Sequence, residues 1–141
     1  MRLGIRFFLS WIVSALIMFA LFYLWHGKFL NDFKRIQFPI AYFVTFAAFT
    51  YMVLGAGIYF LFESRLMKRV GHLFLRAVVT GFIAGLSVFM IATIVNISLT
   101  SRLSVHHLLI DCSWQILEQV VGGMVVLLFK IFIHDPIQEM A

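Results

Sequence analysis

LLIDCSWQILEQVVGGMVVLLFKIFI, residues 108–133, is long and apolar enough to cross a lipid bilayer, yet its first half carries several polar side chains. Asp111, Gln115, Glu118 and Gly122 recur at the i, i+4, i+7, i+11 spacing, which places them on one face of a helix. An ionisable group at the centre of a membrane span costs about 2.5–3.5 kcal/mol. Other parts of the chain must therefore compensate Glu118.

The composition indicates a membrane protein of one domain. Of the 141 residues, 63% are hydrophobic and 12% are charged, whereas a soluble domain has about 25% charged residues. The net charge is +5, and the basic residues lie between apolar runs. That placement is typical of membrane topology and of contact with the lipid bilayer, and it argues against nucleic-acid binding. The single cysteine, Cys112, excludes an internal disulfide and a thiol–disulfide relay within one chain.

Four apolar runs predict four membrane-spanning helices, at about residues 7–25, 40–62, 77–99 and 108–133. Each has roughly the 20 residues that a span needs. The first run ends in bulky LFYLWHG rather than in a small-residue cleavage site, so it is read as an uncleaved span. Because the connections are short, the prediction is an all-α, antiparallel four-helix bundle that forms a single domain without a soluble part.

The lysines and arginines predict the orientation of the bundle. Seven lie on the side of the two termini: Arg2, Arg6, Arg65, Lys68, Arg69, Arg76 and Lys130. Four lie on the opposite side: Lys28, Lys34, Arg35 and Arg102. The excess predicts that both termini are cytoplasmic.

In that orientation the polar side chains concentrate in the outer half of the bundle, with Glu118 near the bilayer midplane. We expect an intramembrane polar cluster that opens outward and is closed towards the cytoplasm. Its predicted members are Glu118, Asp111, Gln115, Trp114, Asn96, Thr93, Tyr42 and Thr45. Two interpretations stay open. Either the carboxyl groups form hydrogen bonds between helices and fix their register, or Glu118 titrates as a proton or cation site.

The histidines offer a possible metal site. His26, His106, His107 and Asp111 are residue types that bind zinc or iron, and all four are predicted on the outer side. Adjacent His106 and His107 point to different faces of a helix, however, so the spacing is not diagnostic. The sequence contains no GxSxG, HExxH or P-loop motif, and no cofactor other than a divalent metal is predicted. Haem ligation by two histidines is disfavoured, because no histidine lies within a span.

Two pairs of glycines predict close helix contacts. Gly81 and Gly85 form a GxxxG pair in the third span, and Gly122 and Gly123 lie in the fourth. Small residues let helix backbones approach each other in a membrane, so these positions are interpreted as packing sites rather than as a phosphate loop.

The layout resembles small, uncharacterised four-span bacterial membrane proteins that are grouped as a domain of unknown function. The resemblance is carried by the aromatic end of the first span (FYLWHG), by Asn96, and by Asp111 with Trp114 three residues later. Glu118 and Gln119 depart from the pattern. The resemblance implies four helices in a bacterial inner membrane and implies no activity.

Three functions are compatible with the sequence. The favoured one is an accessory or structural subunit of a membrane assembly, because the chain is small and lacks a soluble domain. The alternative is an oligomeric carrier or channel for a proton, a cation or a small solute around Glu118. The third is a membrane enzyme that uses the outer histidines with Asp111, although enzyme activity is not the favoured reading. A bundle this small encloses little room, so we expect a homo-oligomer or a larger complex.

Overall fold

Four long apolar helices form the protein, and the predicted all-α fold is confirmed. The computed structural model describes residues 4–35, 39–99 and 104–133, with side chains for all of these except 32, 35 and 95–99. The helices are α1 (Ile5–Phe22), α2 (Ile40–Phe62), the single turn α3 (Arg65–Lys68), α4 (Leu73–Leu99) and α5 (Val105–Phe132). A π-helical segment, Tyr23–Phe29, extends α1, and a 3-10 turn, Asp32–Arg35, follows it. The segments Ile5–Phe29, Ile40–Phe62, Leu73–Ile94 and Val105–Phe132 are long and apolar enough to cross a membrane.

The third long helix begins four residues before the predicted position, at Leu73 rather than at residue 77. Arg76 therefore lies in the first turn of α4 and not in the connection. Its guanidinium donates from Nε to the carbonyl oxygen of Phe62 at 2.6 Å, which ties the start of α4 to the end of α2. A charged side chain that is paired in this way can lie within the helix. The hydropathy of the sequence does not reveal this pairing, so the predicted helix began after Arg76.

The long helices alternate in direction, and α5 contacts each of the other three. It runs antiparallel to α1 and α4, and parallel to α2. We call the end at which α2 and α5 begin the upper end of the bundle. The lower end is the one at which α2 and α5 finish and α1 and α4 start. Because α5 has neighbours on several sides, its middle is the most enclosed part of the described chain.

Glycines bring the backbones of α4 and α5 into direct contact. A Cβ atom added at Gly81 would lie 2.3 Å from the Cα atom of Val120. One added at Gly85 would lie 2.6 Å from the Cα atom of Ile116. Both distances are too short for any side chain, so the contact exists only because both positions are glycine.

The two glycines of α5 serve different neighbours. Gly122 faces α1, where an added Cβ would lie 2.5 Å from the Sδ atom of Met18. Gly123 faces α4, where an added Cβ would lie 2.6 Å from the carbonyl oxygen of Ala77. The pair therefore allows α5 to pack closely against two helices at the same height.

An ion cluster at the lower end joins α2, α4 and α5. The carboxylate of Glu63, directly after α2, accepts from the Nζ atom of Lys130 at 2.5 Å. Arg76 and Lys68 lie 3.5 and 3.6 Å from its other oxygen. The guanidinium of Arg76 also lies over the ring of Phe62, 4.2 Å from the ring centroid. Because Glu63 is buried, these cations are what makes its charge tolerable there.

We predict that Gly81→Ala destabilises the protein by about 1–3 kcal/mol, because an inserted methyl group must push the α5 backbone away. Gly57→Ala is the matched control, since nothing lies within 4 Å of a Cβ atom at that position. Unfolding in detergent, followed by circular dichroism, measures the difference. Equal stability of the two variants would contradict the backbone contact between α4 and α5.

The ion cluster predicts a pH dependence of stability. Burial alone would raise the pKa of Glu63, but the hydrogen bond and charge of Lys130, and then the charges of Arg76 and Lys68, lower it below its ordinary value of 4.5. The stability that Glu63 contributes is therefore fully present above pH 4.5 and is lost as the pH falls through the lowered pKa.

Glu63→Gln should therefore lower the free energy of unfolding by about 3 kcal/mol near neutral pH, because it leaves the buried Arg76 and the half-buried Lys130 with one partner fewer. Thermal unfolding of the wild type and the variant should converge as the pH falls below the folded pKa of Glu63. Lys34→Gln removes one charge at an exposed position and should show neither effect. A constant difference between wild type and Glu63→Gln at all pH values would rule out this role of the carboxylate.

Candidate functional site

A buried carboxyl group lies in the middle of α5, where the helix is enclosed by its neighbours. The side chains of Glu118 and Gln119 are both 0% exposed. From α2, the buried Tyr51 reaches the same region. Such a group in a membrane-spanning helix is either part of the packing or part of a function.

The polar atoms around Glu118 are incompletely paired. Gln119 donates from Nε2 to Oε1 of Glu118 at 3.3 Å. The hydroxyl of Tyr51 and the indole of Trp114 also lie close to the carboxyl group. Among the described residues, however, Oε2 of Glu118 and Nε1 of Trp114 have no partner at hydrogen-bond geometry. An unpaired buried polar atom costs about 1–3 kcal/mol, so this carboxyl group has capacity to hold a proton or a cation.

A cavity of about 170 Å³ lies towards the upper end from Glu118, and we call it the polar cavity because four of its side chains are polar, although most of its surface is apolar. Residues of α5 and α4 and of the extension of α1 line it: His26, Phe89, Ala92, Thr93, Leu108, Asp111, Trp114 and Gln115. Gln115 and Tyr51 lie between the cavity and the buried carboxyl group, because the hydroxyl of Tyr51 is close to the side chains of both Gln115 and Glu118. Polar side chains are therefore present between the cavity and Glu118.

The indole of Trp114, which lines this cavity, stacks on the indole of Trp25. The ring centroids lie 4.2 Å apart at an angle of 10° between the planes. Both residues line a second, more apolar cavity of about 440 Å³, together with His106, Leu109, Ile110, Ser113 and Leu117. Trp25 lies in the π-helical segment, a conformation that often accompanies functional sites.

Below Glu118 the bundle is closed by packed side chains, which are mostly apolar but include the buried hydroxyls of Ser10, Ser14 and Thr80. Met18 from α1 and Ile58 from α2 are buried and meet at Gly122 of α5. Val126, one turn further down α5, is buried as well. In the described residues, the polar cavity therefore lies on one side of Glu118 and packed side chains lie on the other.

The structure brings together five of the eight residues predicted for the polar cluster: Glu118, Asp111, Gln115, Trp114 and Thr93. Tyr42 and Thr45 lie elsewhere. Tyr42 is 73% exposed, and the hydroxyl of Thr45 donates to the carbonyl oxygen of Ala41 in its own helix at 2.8 Å. The side chain of Asn96 lies outside the described side chains.

Tyr51 belongs to the site, although it is not among the eight residues predicted for the polar cluster. It lies nine residues after Tyr42, and at 100° per residue the two side chains point in opposite directions. A usable signal was present in α2, because Ala47, Tyr51 and Gly55 repeat at four-residue spacing and are all buried. Small residues at that spacing mark the face that packs against other helices.

The possible metal ligands are divided between two places. His26 and Asp111 line the polar cavity, whereas His106 lines the apolar one and His107 is exposed. Within residues 4–35, 39–99 and 104–133, no three His, Cys, Asp or Glu side chains are close enough to hold a metal ion. Successive residues of α5 point about 100° apart, which separates the two adjacent histidines.

No family model, curated protein or solved structure matches the chain. The functional interpretation therefore depends on the geometry of the buried carboxyl group and its cavity.

We predict that the cavity is reached by water-soluble reagents from one side of the membrane only, the side opposite to the termini. In a Cys112→Ser background, Thr93→Cys should react with a membrane-impermeant maleimide added to that side. Ser14→Cys, at a buried position of α1, is the control and should stay unlabelled. Labelling of Thr93→Cys from the side of the termini, or equal labelling of both variants, would contradict a one-sided cavity.

Proposed function

We propose that the chain is a small integral membrane protein that serves as an accessory or structural subunit of a membrane assembly. In this proposal the upper end faces outward, and the polar cavity around Asp111 and Glu118 is an outward-facing pocket. Both termini are cytoplasmic, and the membrane is a bacterial inner membrane. The chain works as a homo-oligomer or within a larger membrane complex.

The observation that carries this proposal is the one-sided arrangement around Glu118. The cavity that leads to the carboxyl group is lined by His26, Thr93, Asp111 and Gln115, while Met18 packs on the other side. A pathway across a membrane needs polar surfaces towards both sides. With a polar pocket on one side only, a single copy of the chain does not form such a pathway, which favours a role as a subunit over a role as a carrier on its own.

The outer surface of α2 supports an assembly role. Tyr42, Phe46 and Phe49 are exposed along one face of the helix, and Val53 continues that face. Lower on the same helix, Gly57 is exposed and has open space around it. Large aromatic side chains next to a small residue offer a partner helix both contact area and close approach.

A second candidate function is favoured by the incomplete pairing of Glu118. A carrier or channel for a proton or a cation needs a carboxyl group that is buried yet connected to an aqueous pocket. Glu118 meets both conditions, through its unpaired Oε2 atom and through the polar side chains of Tyr51 and Gln115 that lie between it and the cavity. In this function several copies would surround the pathway.

Glu118→Gln separates the two functions. The substitution keeps the shape and the acceptor for Gln119 but removes the titratable group, so the bundle should fold and assemble normally. If the chain is an accessory subunit, it migrates in native membranes as part of a larger complex, and Glu118→Gln stays in that complex. Proton flux into liposomes that contain the purified chain alone should equal that of empty liposomes.

A carrier gives the opposite result. The purified wild type would then move protons into liposomes. Proton flux through Glu118→Gln would be at least about tenfold lower, because proton transfer by one positioned group contributes about 10²–10⁴-fold. Glu118→Asp, which keeps a carboxyl group, would restore part of the flux. Flux that depends on Glu118 in liposomes, or a chain that is monomeric in native membranes, would overturn the accessory role.

A further inference from the structure

The lower end of the bundle carries far more positive than negative charge. Among the described residues it has six lysines and arginines and a single carboxylate, Glu63. The described part of the lower end therefore has a surplus of positive charge.

The single described carboxylate of the lower end already contacts cations within the bundle. Glu63 is buried and contacts Lys130, Arg76 and Lys68 at once. One negative charge thus faces three positive charges, and the cluster as a whole stays cationic. Lys130 also lies 5.5 Å from the centroid of the Phe62 ring, so an aromatic ring shares in its stabilisation.

The turn α3 and the residue that follows it expose three cations at the lower end. The hydroxyl of Ser64 accepts from the backbone N–H of Met67 at 3.2 Å, which fixes the start of the turn. Arg65 and Arg69 are exposed, and the side chain of Lys68 is 55% exposed. Three cations within five residues are therefore held on a short, capped turn at the height where the long helices end.

Apolar side chains lie among these cations. Leu66 is 59% exposed within α3, and Phe74 is 62% exposed at the start of α4. At the same end, the last two turns of α5 carry an apolar groove of about 230 Å³ that is lined by Leu128, Phe129, Phe132 and Ile133. A soluble anion would contact only the cations of this surface. A lipid can place its phosphate beside the cations and its acyl chains along the apolar side chains.

We propose that the lower end of the bundle is a binding site for acidic phospholipids, with Arg65, Lys68 and Arg69 contacting the headgroup phosphate. The site is independent of the pocket at the upper end. The Glu63 cluster holds α2, α4 and α5 together beneath the headgroup, so that the turn α3 presents its cations in a fixed position. The ligand is recognised by its phosphate together with its acyl chains.

The experiment measures binding of dioctanoyl phosphatidylglycerol to the full chain in a neutral detergent, with dioctanoyl phosphatidylcholine as the uncharged comparison. Wild type should bind phosphatidylglycerol more tightly. Arg65→Gln/Arg69→Gln should weaken that binding about 25-fold, since each cation near an anionic headgroup contributes about fivefold. Lys28→Gln/Lys34→Gln removes two cations near the upper end and should leave it unchanged.

Four outcomes would overturn the proposal. The first is equal binding of the two lipids by the wild type. The second is an equal loss in both double variants, which would indicate net charge rather than a site. The third is competition by inorganic phosphate at the concentration at which phosphatidylglycerol binds, which would indicate a soluble anion. The fourth is unchanged lipid binding by Arg65→Gln/Arg69→Gln. Circular dichroism checks that every variant is folded.

Discussion

The direct contact between the backbones of α4 and α5 is the constraint on which the rest of the bundle depends. Gly81 and Gly85 let α4 lie against the peptide groups of Val120 and Ile116. Because Glu118 lies between these two contacts along α5, its surroundings are set by the same packing. In a membrane, where apolar side chains gain little by leaving lipid, contacts of this kind hold helices together. The position of the buried carboxyl group is thus a consequence of where the glycines are.

The chain buries two glutamates and compensates them in different ways. Glu63, at a helix end, is surrounded by cations, which lower its pKa and keep it ionised. Glu118, at mid-helix, has an amide, a phenol and an indole around it and no described cation in contact. Cations near a helix end can reach the polar headgroups, whereas a cation at the midplane would add a second desolvation cost. The first glutamate therefore holds α2, α4 and α5 together through its charge, whereas the second is enclosed by neutral polar groups.

The sequence predicted the four helices well because their length and hydropathy are dictated by the bilayer. It predicted less about which face of each helix meets its neighbours. Soluble helices show an apolar face and a polar one, but α2 is apolar on all sides, so hydropathy did not distinguish the side of Tyr42 from that of Tyr51. The start of α4 was misplaced for a related reason, since Arg76 is acceptable there only because Glu63 lies opposite. The residues of the site that share α5 were predicted together because one helix fixes their spacing.

The two ends of the bundle differ in a way that bears on function. At the lower end, the charges are paired within the ion cluster or presented on a short turn, and the helices are locked. At the upper end, a π-helical segment, stacked indoles and a polar cavity leave room above the buried carboxyl group. A protein that only needed to hold its helices together would gain stability from apolar side chains in that cavity, because unpaired buried polar atoms are costly. The polar cavity therefore supports the proposal that the upper end has a role beyond holding the helices together.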